Sequence, residues 1–172
     1  MKQLTIDGES VTVCIIPTTG NGSCLFNFIS LALFGTETYS LNVRRDVVKH
    51  VCHHYEQHYG NFMTSDMTVG RYNKHMMYPN TFGTFIEIVA ASAIFAVRIM
   101  VFRTGNLQCH VGKRFGDNYI LSDFTGSLSG GHFNLAWPTN KPFHRNVLTY
   151  PEIDSCDTAP FSHLKDTDLH VL

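Results

Sequence analysis

The sequence predicts an α+β fold in which helices pack on a small, mostly antiparallel sheet. The first half carries helix-patterned stretches near 24–34, 40–60 and 80–95. The second half carries short strand-like runs at 99–102, 107–111, 119–121 and 132–137. Helices gathered before strands point to segregated α+β rather than to alternating α/β units. The chain has 172 residues, 44% hydrophobic and 16% charged. That suits one domain with a tail, and excludes disordered or collagen-like chains.

Val11 to Ile16 alternates weakly and meets Pro17, as a short strand entering a turn does. Thr18 to Ser23 holds two glycines and reads as a loop. Cys24 to Phe34 is apolar nearly all round, a buried helix closed by Gly35. Ser40 can cap a second helix whose Val47, Val48, Val51, Cys52, Tyr55 and Tyr59 share a face, up to Gly60. Residues 61–78 read as a short helix plus loops. Asn80 or Thr81 can start a third strong helix running to Phe95. Gly105-Asn106 marks a hairpin between the strands at 99–102 and 107–111. The stretch 122–131 is a Gly/Ser loop, and 138–172 loses periodicity.

Thirteen Lys plus Arg against fourteen Asp plus Glu leave a net charge of −1. No basic excess argues for nucleic acid. The longest apolar stretch, Ile88 to Val97, is too short to span a bilayer. Five cysteines, none in a C-x-x-C pair, argue against a disulfide framework. Met1 to Ser10 carries Asp7 and Glu9 and is not read as a signal peptide. Reduced thiols in a cytoplasmic setting and a monomer are expected.

Cys24 follows a glycine-containing loop and opens an apolar helix. A helix N-terminus has unpaired N–H groups and partial positive charge, both of which favour a thiolate. Gly22 lets the loop backbone approach a substrate, and the N–H groups around Asn21, Gly22, Ser23 and Cys24 could hold an oxyanion. A buried core cysteine is the competing reading. A thiol nucleophile needs an imidazole. In a strand, His132, Asn134 and Ala136 share one face, and Phe133, Leu135 and Trp137 share the core face. Asn134 could accept from one ring nitrogen of His132 and aim the other at Cys24. Gly130 and Gly131 leave room there for a substrate chain.

Gly20-Asn21-Gly22-Ser23-Cys24-Leu25-Phe26 resembles the D-G-x-C-L-F nucleophile motif of the OTU (ovarian tumour) cysteine proteases. The helix with Arg44, Val47, Val48 and Tyr55 resembles the one that follows in that family. Phe82-Gly83-Thr84-Phe85-Ile86-Glu87-Ile88 resembles its W-G-x-x-x-E-(I/L) helix, and Ile99-Met100-Val101-Phe102 the next strand. Gly131-His132-Phe133-Asn134 resembles the closing H-(Y/F)-(N/D) motif. The matches keep family order from about Val13 to Trp137. The resemblance implies a papain-like OTU fold and a deubiquitinase. Residues 1–138 would be its catalytic domain, and 139–172 a C-terminal extension, wrapping or partly flexible. It implies Cys24 as nucleophile, His132 as general base and acid, and Asn134 as the residue orienting His132. Asn21 to Cys24 would form the oxyanion hole. Ubiquitin or polyubiquitin, with related modifiers, is the implied partner, and neither metal nor organic cofactor is needed. Asn21 and Phe82 depart from the usual Asp and Trp, and Asn134 is neutral. Asp123 could supply a carboxylate instead.

Two alternatives stay open: a catalytically decayed ubiquitin-binding domain, and a viral or mobile-element polyprotein protease that also removes such modifiers. His50, His54 and His58, four apart, allow a zinc face. Cys109 and His110 are adjacent on a strand and so face opposite ways. Met63, Met67, Met76 and Met77 cover core or form an adaptable surface. Asp66, Glu87 and Asp123 are candidates to meet the arginines of a ubiquitin tail.

Overall fold

Asp7 and Gly8 both sit in the left-handed region, at φ 52° and 86°. A two-residue turn of that shape matches the twist of paired strands and favours Asp-Gly. It joins β1 (Lys2–Ile6) to β2 (Glu9–Ile16). The computed structural model describes residues 1–127, 130–143, 149–154 and 156, and the backbone of Asp168–Leu169. Leu128, Ser129 and most of the extension expected over 139–172 lie outside the described residues.

The helices are α1 (Cys24–Phe34), α2 (Ser40–His53), α3 (Val69–Met76) and α4 (Phe85–Phe95). The strands after them are β3 (Arg98–Arg103), β4 (Asn106–Val111), β5 (Tyr119–Thr125), β6 (His132–Pro138) and β7 (Asp168–Leu169). Ser40 is the first helical residue, not the cap. A 3₁₀ turn, Glu37–Tyr39, runs straight into α2, and Thr36 caps that turn by accepting from the Thr38 N–H. α2 ends at His53, short of the expected Gly60. α4 starts at Phe85 rather than near Asn80. The backbone at Gly83 packs so closely on Leu25 that a Cβ would collide with it. The Glu87 carboxylate then accepts from the N–H and hydroxyl of Thr84, capping the helix there.

The strand order is β1-β2-β6-β5-β3-β4-β7. Among the described residues only β3 and β5 run parallel; the other pairs are antiparallel. One face carries Phe133, Leu135, Ile99, Val101 and Val111 into a core shared with α1, α2 and α4. The other face holds Leu4, Ile6, Val13, Met100, Phe102, Leu121 and Ala136. Leu4 and Ile6 thus share one core cluster with Met100 and Phe102 of β3 although three strands lie between. The sheet therefore curls back on itself. Arg98 ties the curl shut at one end by gripping Asp7 through two bonds of 2.8 and 2.6 Å. Lys2 does so elsewhere, with Nζ 2.6 Å from Asp123.

The chain after β6 returns to the body. Trp137 packs edge-on against Phe143 at 4.9 Å, and the Lys141 ammonium lies 3.8 Å from the Tyr119 ring centroid. Tyr150 packs among Phe34, Tyr39 and Phe95, and its hydroxyl donates to Asp46 at 2.6 Å. Among the described residues no helix is long and apolar enough to cross a membrane.

Tyr150→Ala should lower unfolding stability by roughly 2 kcal/mol, through lost ring contacts and one lost bond. A reduced denaturant midpoint at unchanged slope would show it; an unchanged midpoint would mean that this segment adds nothing. The Arg98 guanidinium holds the Asp7 carboxyl below its ordinary range. That contribution is present above the ordinary Asp pKa and fades as acid protonates the carboxylate. Asn suits the same turn, so Asp7→Asn should cost about 0.5 kcal/mol at pH 7, the scale of an exposed ion pair, and nothing near pH 2.

Candidate active site

The β2–β6 ladder pairs Ile16 with Leu135 and Ile15 with Ala136. The chain leaving β2 therefore runs out beside the start of β6, where His132 and Asn134 stand. Thr18 meets both. Its carbonyl lies 3.1 Å and its hydroxyl 3.2 Å from His132 Nε2. Its N–H donates to Asn134 Oδ1 at 3.4 Å, and its hydroxyl donates to the Phe133 carbonyl at 2.6 Å. A carbonyl can only accept, so this network assigns the ring proton to Nε2. The Thr18 hydroxyl, already donating to Phe133, then accepts from the same N–H. Nδ1 is left as the basic nitrogen. It faces the nucleophile loop, since a Cβ at Gly20 would stand 4.0 Å from it.

Among the described residues no hydrogen bond joins Asn134 to the imidazole directly, whereas a direct bond is the arrangement the sequence leads one to expect. Among the described residues, its link to His132 runs through Thr18. Thr18 had no signal of its own in the sequence. Only the strand register reveals it.

Cys24 is the first residue of α1 and is 2% exposed. Its Sγ lies 3.9 Å from the Gly131 carbonyl, next to His132. No hydrogen bond joins Cys24 to His132 among the described residues. The loop before Cys24 is tightly held. Glu37 accepts from the Thr19 N–H and hydroxyl at 2.9 and 2.6 Å. The Asn27 amide donates to the Thr19 carbonyl and to Asn21 Oδ1. Asn21 Oδ1 also accepts the Ser23 N–H at 3.1 Å, an Asx turn that an Asp would make equally. Because that N–H is engaged, Ser23 cannot lend it to an oxyanion. Gly22, at φ 79°, backs onto Asn80 so closely that a Cβ would collide with the Asn80 carbonyl. Gly131 similarly leaves no room for a Cβ beside Phe124, so its bareness serves packing as well as access. Gly130 closes a turn by donating to the Ser127 carbonyl at 3.2 Å.

Other sequence candidates are engaged elsewhere. Asp123 stands across the ladder from Asn134, but its Oδ2 is paired with Lys2. Glu87 is fully buried, accepting from Tyr72 at 2.7 Å and from Thr84, so it cannot meet a substrate arginine. Asp66 is exposed. α2 stops at His53, yet the rings of His50, His54 and His58 stay in a row, with centroids 4.7 and 6.1 Å apart. His50 Nε2 lies 3.1 Å from the Tyr59 hydroxyl, and His54 Nε2 lies 3.0 Å from the Cys156 carbonyl. The described residues hold no group of His, Cys, Asp and Glu arranged for a metal. Burial pushes the Cys109 thiol up to about 12, and His110 accepts from Arg98. Met76 is core, while Met77 is 40% exposed.

The OTU-like cysteine protease family model matches residues 19–128. The match includes Cys24 and stops short of His132 and Asn134. No curated protein matches the chain at a significant level. The fold is similar to that of the OTU domain of OTUD1, with a TM-score of 0.62 at 17% identity over 73% of this chain and 85% of that one. It is also similar to an ovarian tumour domain solved in complex with ubiquitin, with a TM-score of 0.60 at 22% identity over 83% and 86%. The Hazara virus OTU bound to ubiquitin aligns with a TM-score of 0.61 at 15% identity over 81% and 88%. These likenesses carry the fold, an α+β OTU domain. With the family match spanning well over half of its residues, the chain belongs to the OTU-like cysteine protease family.

Proposed function

We propose that the chain is a thiol-dependent deubiquitinase. Cys24 attacks the carbonyl of the C-terminal glycine of a conjugated ubiquitin, and His132 Nδ1 takes the thiol proton. The N–H groups of Gly22 and Cys24 hold the oxyanion, since that of Ser23 is bound to Asn21. Collapse of the intermediate forms a thioester, and His132 returns the proton to the leaving amine. A water deprotonated by His132 then releases ubiquitin and restores the thiol. Asn134 acts through Thr18, which holds the ring by Nε2. The observation that carries this reading is the convergence at one point. A helix-terminal thiol lies against the Gly131 carbonyl, and the next residue is an imidazole whose outer nitrogen is pinned. Ubiquitin as the substrate class is supported by the family and by the ubiquitin complexes of similar folds.

The test uses ubiquitin bearing a C-terminal electrophile, under reducing conditions at neutral pH. Wild type should gain the mass of one ubiquitin, and Cys24→Ala should gain none. Equal labelling of both would remove Cys24 from the role. No labelling of folded wild type would favour a decayed site, which a binding titration with free ubiquitin then tests. His132→Ala should lose about a thousandfold in kcat, the scale of a missing general base. Thr18→Val removes the hydroxyl but keeps the carbonyl, and should lower kcat about threefold to tenfold with KM unchanged. Thr18→Ser should restore it. A Thr18→Val enzyme as fast as wild type would deny Thr18 a positioning role.

A further inference from the structure

Arg44 is among the largest fully buried side chains, 1% exposed, on α2. An unpaired cation is rarely tolerated in such a place. Its guanidinium lies 4.1 Å from the Phe26 ring centroid and donates to a ring of oxygens. Nη1 reaches the Met76 carbonyl at 2.7 Å. Nη2 reaches the carbonyls of Pro79 at 3.0 Å and Thr81 at 2.9 Å, and Ser23 Oγ at 3.0 Å. The Ser23 hydroxyl in turn donates to the Pro79 carbonyl. One guanidinium therefore draws a single short stretch, 76–81, against the residue before Cys24. The same stretch presents the Asn80 carbonyl to the back of Gly22, where a Cβ would not fit. Desolvation lowers the Arg44 pKa to about 10, and buried Glu87 opposes that fall, so the cation persists at neutral pH.

We propose that Arg44 is a positioning residue for the reaction at Cys24. It clamps the 76–81 carbonyls against Ser23 and Gly22 and so fixes the aim of the loop N–H groups. The inference rests on the reading of Cys24 as nucleophile. The geometry requires arginine: a planar fork can serve several carbonyls at once, whereas a lysine ammonium offers three donors at one point on a shorter reach. If the clamp slackens, Gly22 and Cys24 no longer point where an oxyanion forms. Substrate binding elsewhere is untouched.

The intact chain carrying Arg44→Lys tests this by two independent readouts. Amide hydrogen exchange at Gly22, Ser23 and Cys24 should quicken about tenfold, while amides of β3 and β5 stay protected. Hydrolysis of a ubiquitin C-terminal amide should lose about tenfold in kcat with KM within about twofold. Ser23→Ala, which deletes the junction of the clamp and keeps the buried cation, should move both readouts in the same direction by less. Unchanged loop exchange in both variants would overturn the proposal whether or not ubiquitin is cleaved. So would exchange that rises uniformly across the sheet, since Arg44 would then support only the fold. A rise in KM at constant kcat would overturn it as well. Loosening of the loop in a chain whose wild type cleaves no ubiquitin substrate would uphold the clamp and sink the deubiquitinase reading instead.

Discussion

The antiparallel ladder between β2 and β6 is the constraint on which the site depends. It fixes Ile16 against Leu135, and with that register the next turn of chain must pass beside His132. Thr18 and His132 are 114 positions apart, yet their contact follows from two strands pairing edge to edge. A slip of one residue would turn His132 and Asn134 to the opposite face of the sheet. Such a slip is costly here because both faces of β6 are committed. Leu135 packs under the helices and Ala136 inside the curl of the sheet. The site therefore inherits its geometry from core packing on both sides of one strand.

The second support is the way charges are buried. Arg44, Glu87, Arg98 and Asp123 are each less than a tenth exposed, and each has a partner on a different element. Lys2 and Arg98 close the curl of the sheet, while Arg44 and Glu87 tie α2, α3 and α4 to the nucleophile loop. Buried polar groups that are satisfied in only one arrangement favour that arrangement over near alternatives. The nucleophile loop is held from outside by Arg44, Glu37 and Asn27 and from within by the Asx turn of Asn21.

Features decided locally were legible in the sequence. The apolar run opened by Cys24, the Gly35 stop, and the alternation of His132 to Trp137 all translate into the structure with little change. The Asx turn at Asn21 follows from residue type alone. What escaped was decided at a distance. β1 is five residues with only Leu4 and Ile6 buried, too short for alternation to register, although Asp7-Gly8 announces its turn. The start of α4 is set by contact of Gly83 with Leu25, a tertiary effect. The partner of Asn134 could not be read, because Thr18 is an ordinary loop threonine until the ladder is drawn. His50, His54 and His58 do stay side by side past the end of α2, but the partners that His50 and His54 take, Tyr59 and the Cys156 carbonyl, were set by the tertiary fold.

In the proposed mechanism Thr18 pins the outer nitrogen of His132 so that Nδ1 serves Cys24. The ¹⁵N chemical shifts of the His132 ring in the free protein at neutral pH test it most directly. The neutral form of the ring should carry its proton on Nε2, with Nδ1 showing the shift of an unprotonated nitrogen. A proton found on Nδ1, with Nε2 bare, would contradict it. The Thr18 carbonyl would then face a lone pair, and the imidazole would be held for some purpose other than activating the thiol.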